Sequence, residues 1–414
     1  MTTSSLEHVW RGCAPDVLAA LVRGYGDFEA AEDAAQEALL AAARQWPTQG
    51  LPDKPKAWLI RVASRRMMDQ WRSDRARAGR EQLVADRIPA ENLVAPAADV
   101  AGQRDDSLTL LLLCCHPALT RPSQVALTLR AVAGLSTGQI ARAFLVPEAT
   151  MAQRISRAKS RLREVQAPFG VPSPEQLPDR VAGAAHVLYL VFTEGHTSTT
   201  GGGLYDVSLA DEAIRLTRQL HERLPVEGEV AGLLALMLLT DARRAARTRP
   251  DGSLVPLAEQ DRTLWDPGRI REGVGLVERA LPTGPVGPFQ LQAAIAAVHA
   301  EAARARDTDW AQIETLYRML RDLTPSPVVT LNHAVAVAMV DGPTAGLDML
   351  GPLLQDQRMR RYHRLYAVRA HLLEMNGQAM EACAAYAMAA RLATSIPEQR
   401  YLNTKAARQK GPHV

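Results

Sequence analysis

The alternation of apolar and polar positions is sharpest in "GLSTGQIARAFLVPEATMAQRISRAKSRLRE", residues 134–164. Ser136 and Gln139 have the S-x-x-Q spacing of a capping box, so a helix is predicted to start there. Ile140 and Phe144 lie one turn apart on its inner face. Pro147 stops that helix and suits the first turn of another, which is predicted to begin near Glu148. Along this second helix Met151, Ile155, Ala158 and Leu162 follow the i, i+4, i+7, i+11 pattern of a buried stripe. Thr150, Gln153, Arg154, Arg157 and Arg161 are left facing outward.

Upstream, residues 15–26 and 28–46 are rich in alanine and leucine and predict two helices with a Gly-Asp break between them. A third is predicted from about Lys54. At about 100° per residue, its Arg61, Arg65, Arg72 and Arg75 fall within about 80° of one another. Trp58, Leu59, Val62, Ala63 and Met67 occupy the other faces and can pack. The next segment, residues 78–105, is rich in Ala, Pro and charge without sustained periodicity, and reads as a linker.

Beyond this pair of helices the proline-rich "QAPFGVPSPEQLPDR" marks another boundary, over residues 166–180. From there to about residue 410 the pattern is helical, with breaks at "VFTEGHTSTTGGGLYD", "RTRPDGSLVP", "LPTGPVGP", "LTPSPVV" and "VDGPTAG". Gly342 and Gly377 each follow an apolar helix and lie 35 residues apart, and Pro325 and Pro397 are separated by about twice that period. This spacing fits helix-pair repeats of tetratricopeptide (TPR) type, stacked into a solenoid. The fold class expected is all-α.

Two helices joined through a tight turn, the second with a polar outer face, make a helix-turn-helix whose second helix enters the major groove of DNA. Arginine can hold a phosphate or the O6/N7 edge of guanine, and glutamine can bond adenine. The arginine stripe on the third N-terminal helix suits a nucleic-acid backbone in the same way. Two such modules on a tether gain affinity through effective concentration.

Composition sharpens this picture only in places. The 414 residues, 47% hydrophobic and 22% charged, are those of an ordinary folded chain of two or three domains. Residues 1–166 carry 22 Lys and Arg against 18 Asp and Glu, so the net charge of +3 belongs to the N-terminal part. The start "MTTSSLEHVWRG" has no apolar signal core and the apolar runs are short, so a cytoplasmic protein with no membrane contact is expected.

Four cysteines do not make a disulfide scaffold. Cys114, Cys115 and His116 are ligand types, but sequence neighbours on a helix point apart and no second cluster has zinc spacing, so buried cysteines and no metal are expected. His186, Glu194 and His196 bracket "VLYLVFTEGH" ahead of "TTGGG", without H-E-x-x-H spacing or a P-loop lysine. Glu194 and His196 are read as packing or regulatory contacts on a loop. No catalytic residue and no cofactor are expected.

"DFEAAEDAAQEALLAAARQW" followed by "PKAWLIRVASRRMMDQWRS" resembles region 2 of a group IV, or extracytoplasmic function (ECF), RNA polymerase sigma factor. Residues 121–163 resemble region 4, and the likeness covers residues 10–165. It implies a region 2 bundle over 10–77, region 4 over 106–165, and core RNA polymerase and promoter DNA as partners. Glu32, Asp33, Gln36 and Glu37 would dock on the β′ clamp, with a further contact on the β flap. Arg61, Arg65, Arg66, Trp71 and Arg72 would serve the −10 element. Thr150, Gln153, Arg154, Arg157 and Arg161 would serve the −35 element.

The segments "LLCCHPALTRPSQVALTLRAVAGLSTGQIARAFLVPEATMAQRISRAK", "YLVFTEGH" and "LNHAVAVAMVDGPTAGL" resemble those of an ECF subgroup with a long TPR-like C-terminal domain, here residues 181–410. The short proline-rich connection predicts an intramolecular contact between this domain and the sigma regions, as a built-in regulator. The alternative is a helix-turn-helix regulator with a ligand- or protein-binding repeat domain, acting without polymerase.

Overall fold

The computed structural model describes residues 3–81, 106–144, 146–196 and 207–409, and every regular element among them is helical. The chain divides into two compact units, Met1–Leu190 and Val191–Val414.

The first unit opens with α1 (Thr3–Tyr25), α2 (Phe28–Gln49) and α3 (Pro55–Glu81). α1 starts a dozen residues before the helix expected at Pro15, which sits inside it. Trp10 and Ala14 are buried ahead of that proline, so packing outweighs the hydrogen bond that proline cannot make. Asp27 caps α2 by accepting from the Glu29 and Ala30 amides at 2.9 and 3.0 Å. A stripe of Ala31, Ala34, Ala35, Ala38 and Ala42 lets α2 approach α1 and α3 closely. Trp46 of α2 meets Trp58 of α3 edge-on at 5.3 Å, and Lys56 binds Asp16 at 2.7 Å to pin α3 to α1. α3 runs on to Glu81, four residues into the expected linker; the rest of that linker lies outside the described residues.

Four helices follow: α4 (Ser107–Cys114), α5 (Arg121–Ala131), α6 (Thr137–Ala143) and α7 (Glu148–Glu164). The capping box forms, with the Ser136 amide donating to Gln139 Oε1 at 2.8 Å and the Gln139 amide to Ser136 Oγ at 3.1 Å. Met151, Ile155, Ala158 and Leu162 of α7 are all buried. Cys114 and Cys115 are buried free thiols, and burial pushes Cys115 up to about 11. Buried Gln124 donates to the Cys115 and His116 carbonyls at 3.1 and 2.9 Å, which closes the α4–α5 corner.

α8 (Leu177–His196) begins in the first unit, where Arg180 donates to the Leu112 carbonyl at 2.8 Å. The first unit therefore runs past the expected boundary at residue 180.

The second unit is built of α9 (Val207–Arg223), α10 (Gly228–Asp241), α11 (Pro267–Ala280), α12 (Pro288–Glu301), α13 (Trp310–Leu323), α14 (Pro327–Asp341), α15 (Pro343–Gln355), α16 (His363–Met375), α17 (Ala379–Leu392) and α18 (Ile396–Gln409). α10, apolar nearly all round, is buried against α11 and α12. Successive cores then each join three consecutive helices: Leu291, Ile313 and Ala336, then Ala334, Leu350 and Leu372, then Ala370, Tyr386 and Leu402. Cores that each share a helix with the next are those of a solenoid. Gly342 and Gly377, at φ +95° and +73°, turn the chain between paired helices where a β-carbon would be strained.

Candidate nucleic-acid interface

The outer face of α7 is open. Thr150, Gln153, Arg157 and Arg161 are exposed and Arg154 is half-buried, while the four apolar residues of the opposite face anchor the helix to α5 and α6. Arg161 leans on Glu164 at 3.0 Å. Among the described residues Arg154 and Arg157 have no acidic partner, so their guanidinium groups are available to an anion.

On α3, Leu59, Ile60, Ala63 and Met67 are buried and Arg61, Arg65, Arg66 and Arg72 are exposed. Arg66 pairs with Glu37 of α2 at 3.2 Å, and Arg72 with its own-helix neighbour Asp69 at 3.8 Å. Both are surface pairs of small energetic weight that a phosphate can displace. The side chains of Trp71 and Arg75 lie outside the described residues.

The acidic residues of α2 do not form one face. Asp33 and Glu37 are exposed and Gln36 is half-buried, but Glu32 is only 4% exposed. Its carboxylate accepts from Arg130 Nε of α5 at 2.6 Å and pairs with Lys159 of α7. Burial alone would raise the Glu32 carboxyl, yet the Lys159 and Arg130 charges override it and hold it below its ordinary value. Arg130 also donates to the Leu135 carbonyl at 3.2 Å. At the rim of this contact Arg163 of α7 pairs with Glu29 and lies 3.6 Å from Asp27, and Arg23 of α1 pairs with Asp106 ahead of α4.

Sequence reasoning missed this set. Arg130, Lys159, Arg163 and Glu29 are ordinary surface types; the one available signal is that Glu29 and Glu32 recur at i, i+3 on α2 and Lys159 and Arg163 at i, i+4 on α7.

Glu194 and His196, expected on a loop, occupy the last turn of α8. His196 is buried, stacks on Phe192 at 5.2 Å and engages Arg247, because an apolar face continues through this turn. Burial, then the Arg247, Arg243 and Arg244 charges, push its imidazole down to about 2, so it is neutral at ordinary pH. The "TTGGG" run lies outside the described residues. Among the described residues no group of three or more His, Cys, Asp or Glu side chains is placed to hold a metal ion, and no helix is long and apolar enough to cross a membrane.

Residues 9–77 match the Sigma-70 region 2 family and residues 109–162 the Sigma-70 region 4 family. The chain belongs to the ECF-type sigma factors. Residues 180–281 of this sigma factor match a further family of unknown function, DUF6596. It is 43% identical over 390 residues to an uncharacterised protein of Rhizobium meliloti (strain 1021), across 94% of this chain and 92% of that one. The sigma factor therefore acts in transcription initiation, with core RNA polymerase and promoter DNA as partners, and carries an extra C-terminal domain. Region 2 comprises α1 to α3, and region 4 comprises α4 to α7.

Proposed function

We propose that the sigma factor directs core RNA polymerase to promoters by reading the −35 element through Thr150, Gln153, Arg154, Arg157 and Arg161. The observation that carries this reading is α7 itself: its apolar stripe is buried, and the residue types that bond base edges and phosphates point outward. Arg61, Arg65, Arg66 and Arg72 of α3, with Trp71, serve the −10 element. Asp33, Gln36 and Glu37 dock on the β′ clamp, and region 4 contacts the β flap. Glu32 is left out of that docking face in the free chain, since its carboxylate is occupied.

The C-terminal helical array modulates this activity, acting on the sigma regions of its own chain. A repeat array held close to region 4 by a short proline-rich segment, and so at high effective concentration, supports a regulatory role. A chain ending at Asp206, which retains all of α8, tests it: promoter-directed transcription at equal concentration changes if the array modulates, and stays the same if it serves some unrelated partner.

Docking is tested with Asp33→Arg/Glu37→Arg. Both side chains are exposed, so the reversal leaves the fold intact and weakens binding to core polymerase. Normal affinity of the folded double variant contradicts the assignment.

A further inference from the structure

We propose that region 4 and core polymerase compete for the acidic side of α2, so that the free sigma factor is closed by ion pairs which polymerase binding must break. This rests on the reading that α2 docks on polymerase.

The geometry of Glu32 carries the proposal. A buried carboxylate is costly unless it is paired and hydrogen-bonded, and both of its cations come from region 4, Arg130 from α5 and Lys159 from α7. Arg163, one turn beyond Lys159, extends the contact to Glu29 and Asp27. Gln36 lies one turn from Glu32 on the same side of α2, and Asp33 follows Glu32 directly. A protein surface seated on Asp33, Gln36 and Glu37 thus meets the edge that α5 and α7 cover.

The rest of the module contact is not tightly filled. α1 meets α4, but a cleft of about 470 Å³ remains between the modules, lined by Phe28, Leu162 and Phe169 beside Lys159 and Arg163. Charge pairs beside an unfilled cleft form a contact that a competing charged surface can displace. Lys159 and Arg163 stand off the DNA-reading face of α7, so releasing them leaves that face intact.

The test uses the full chain, labelled with a fluorophore pair at exposed Gln45 of α2 and Ser156 of α7 for energy transfer, and unlabelled for core binding. In Lys159→Gln/Arg163→Gln the transfer efficiency falls and core affinity rises by roughly tenfold, because the closed population no longer reduces the apparent affinity. In the wild type, adding core polymerase lowers transfer. Unchanged transfer in the variant, or lower transfer with unchanged core affinity, overturns the proposal. If the double variant loses its helical signal, Arg163→Glu replaces it, since that side chain is largely exposed; the same two readings then decide, with smaller shifts. The docking variant separates the two failures. If Asp33→Arg/Glu37→Arg binds core normally, the docking reading falls. If it binds poorly while Lys159→Gln/Arg163→Gln binds like wild type, competition alone falls.

Discussion

Glu32 accepts a hydrogen bond from Arg130 Nε at 2.6 Å across 98 positions of sequence, and this contact joins region 2 to region 4 in the described fold. Together with Lys159 it converts a residue expected at the polymerase surface into an internal one.

This pair sets an acid limit on the module contact. The Glu32 carboxyl is held below its ordinary value of 4.5, so its contribution is complete above that value and is lost as pH falls further, toward the depressed folded value. Energy transfer between regions 2 and 4 should hold steady from pH 7 to about 5 and fall below about 4.5. In Glu32→Gln the acid-dependent step should be absent and transfer should be low throughout, because Arg130 and Lys159 lose their counter-charge.

His196 makes the opposite of a neutral-pH switch. Its folded value of about 2 lies below the ordinary 6.5, so the unfolded chain takes up the proton first. The contribution of this residue to the stability of the second unit is complete above about pH 6.5 and is lost progressively as pH falls below it. His299, lowered to about 4 by burial and then by Arg243 and Arg262, adds a similar slope down to its own value. Urea unfolding at pH 7 and pH 5 measures the slope, and His196→Gln should reduce it. An NMR titration should show the His196 ring unchanged between pH 5 and 8.

Close helix packing in the second unit gives a third test. A β-carbon on Gly232 of α10 would stand 2.6 Å from the Gln290 backbone nitrogen of α12, and the backbone cannot yield as a flexible side chain would. Gly232→Ala should cost about 1 to 3 kcal/mol of stability by overpacking. Thermal unfolding checks it, and Gly284→Ala, where nothing lies within 4 Å, is the control.

Local signals carried far in this chain. Ser136, Gln139, Pro147 and the stripe from Met151 to Leu162 contain their own helix starts and inner face, so the helix-turn-helix was legible from residues 134–164 alone. The pair Gly342 and Gly377 disclosed the stacked helix pairs, because a turn that needs positive φ recurs with the repeat. What stayed hidden depends on partners distant in sequence. Nothing near Glu32 announces Arg130 or Lys159, and an acidic residue on an alanine-rich helix has the same local pattern whether it faces water or a second module. His196 was misread for a related reason: Gly195 and the polar run after it signal a break, whereas packing on Phe192 and Arg247 carries α8 through to His196.

The central claim is that this chain confers promoter-specific initiation on core polymerase through the outer face of α7. Run-off transcription with purified core polymerase, on templates carrying the promoters beside its own gene, tests it most directly. Addition of the sigma factor should yield a transcript from one defined start, and Arg154→Ala or Arg157→Ala should reduce promoter binding by about 1 to 3 kcal/mol, with relaxed preference at one −35 position. Specific transcripts from both variants at wild-type level, or none from the wild type despite stable core binding, would contradict the account.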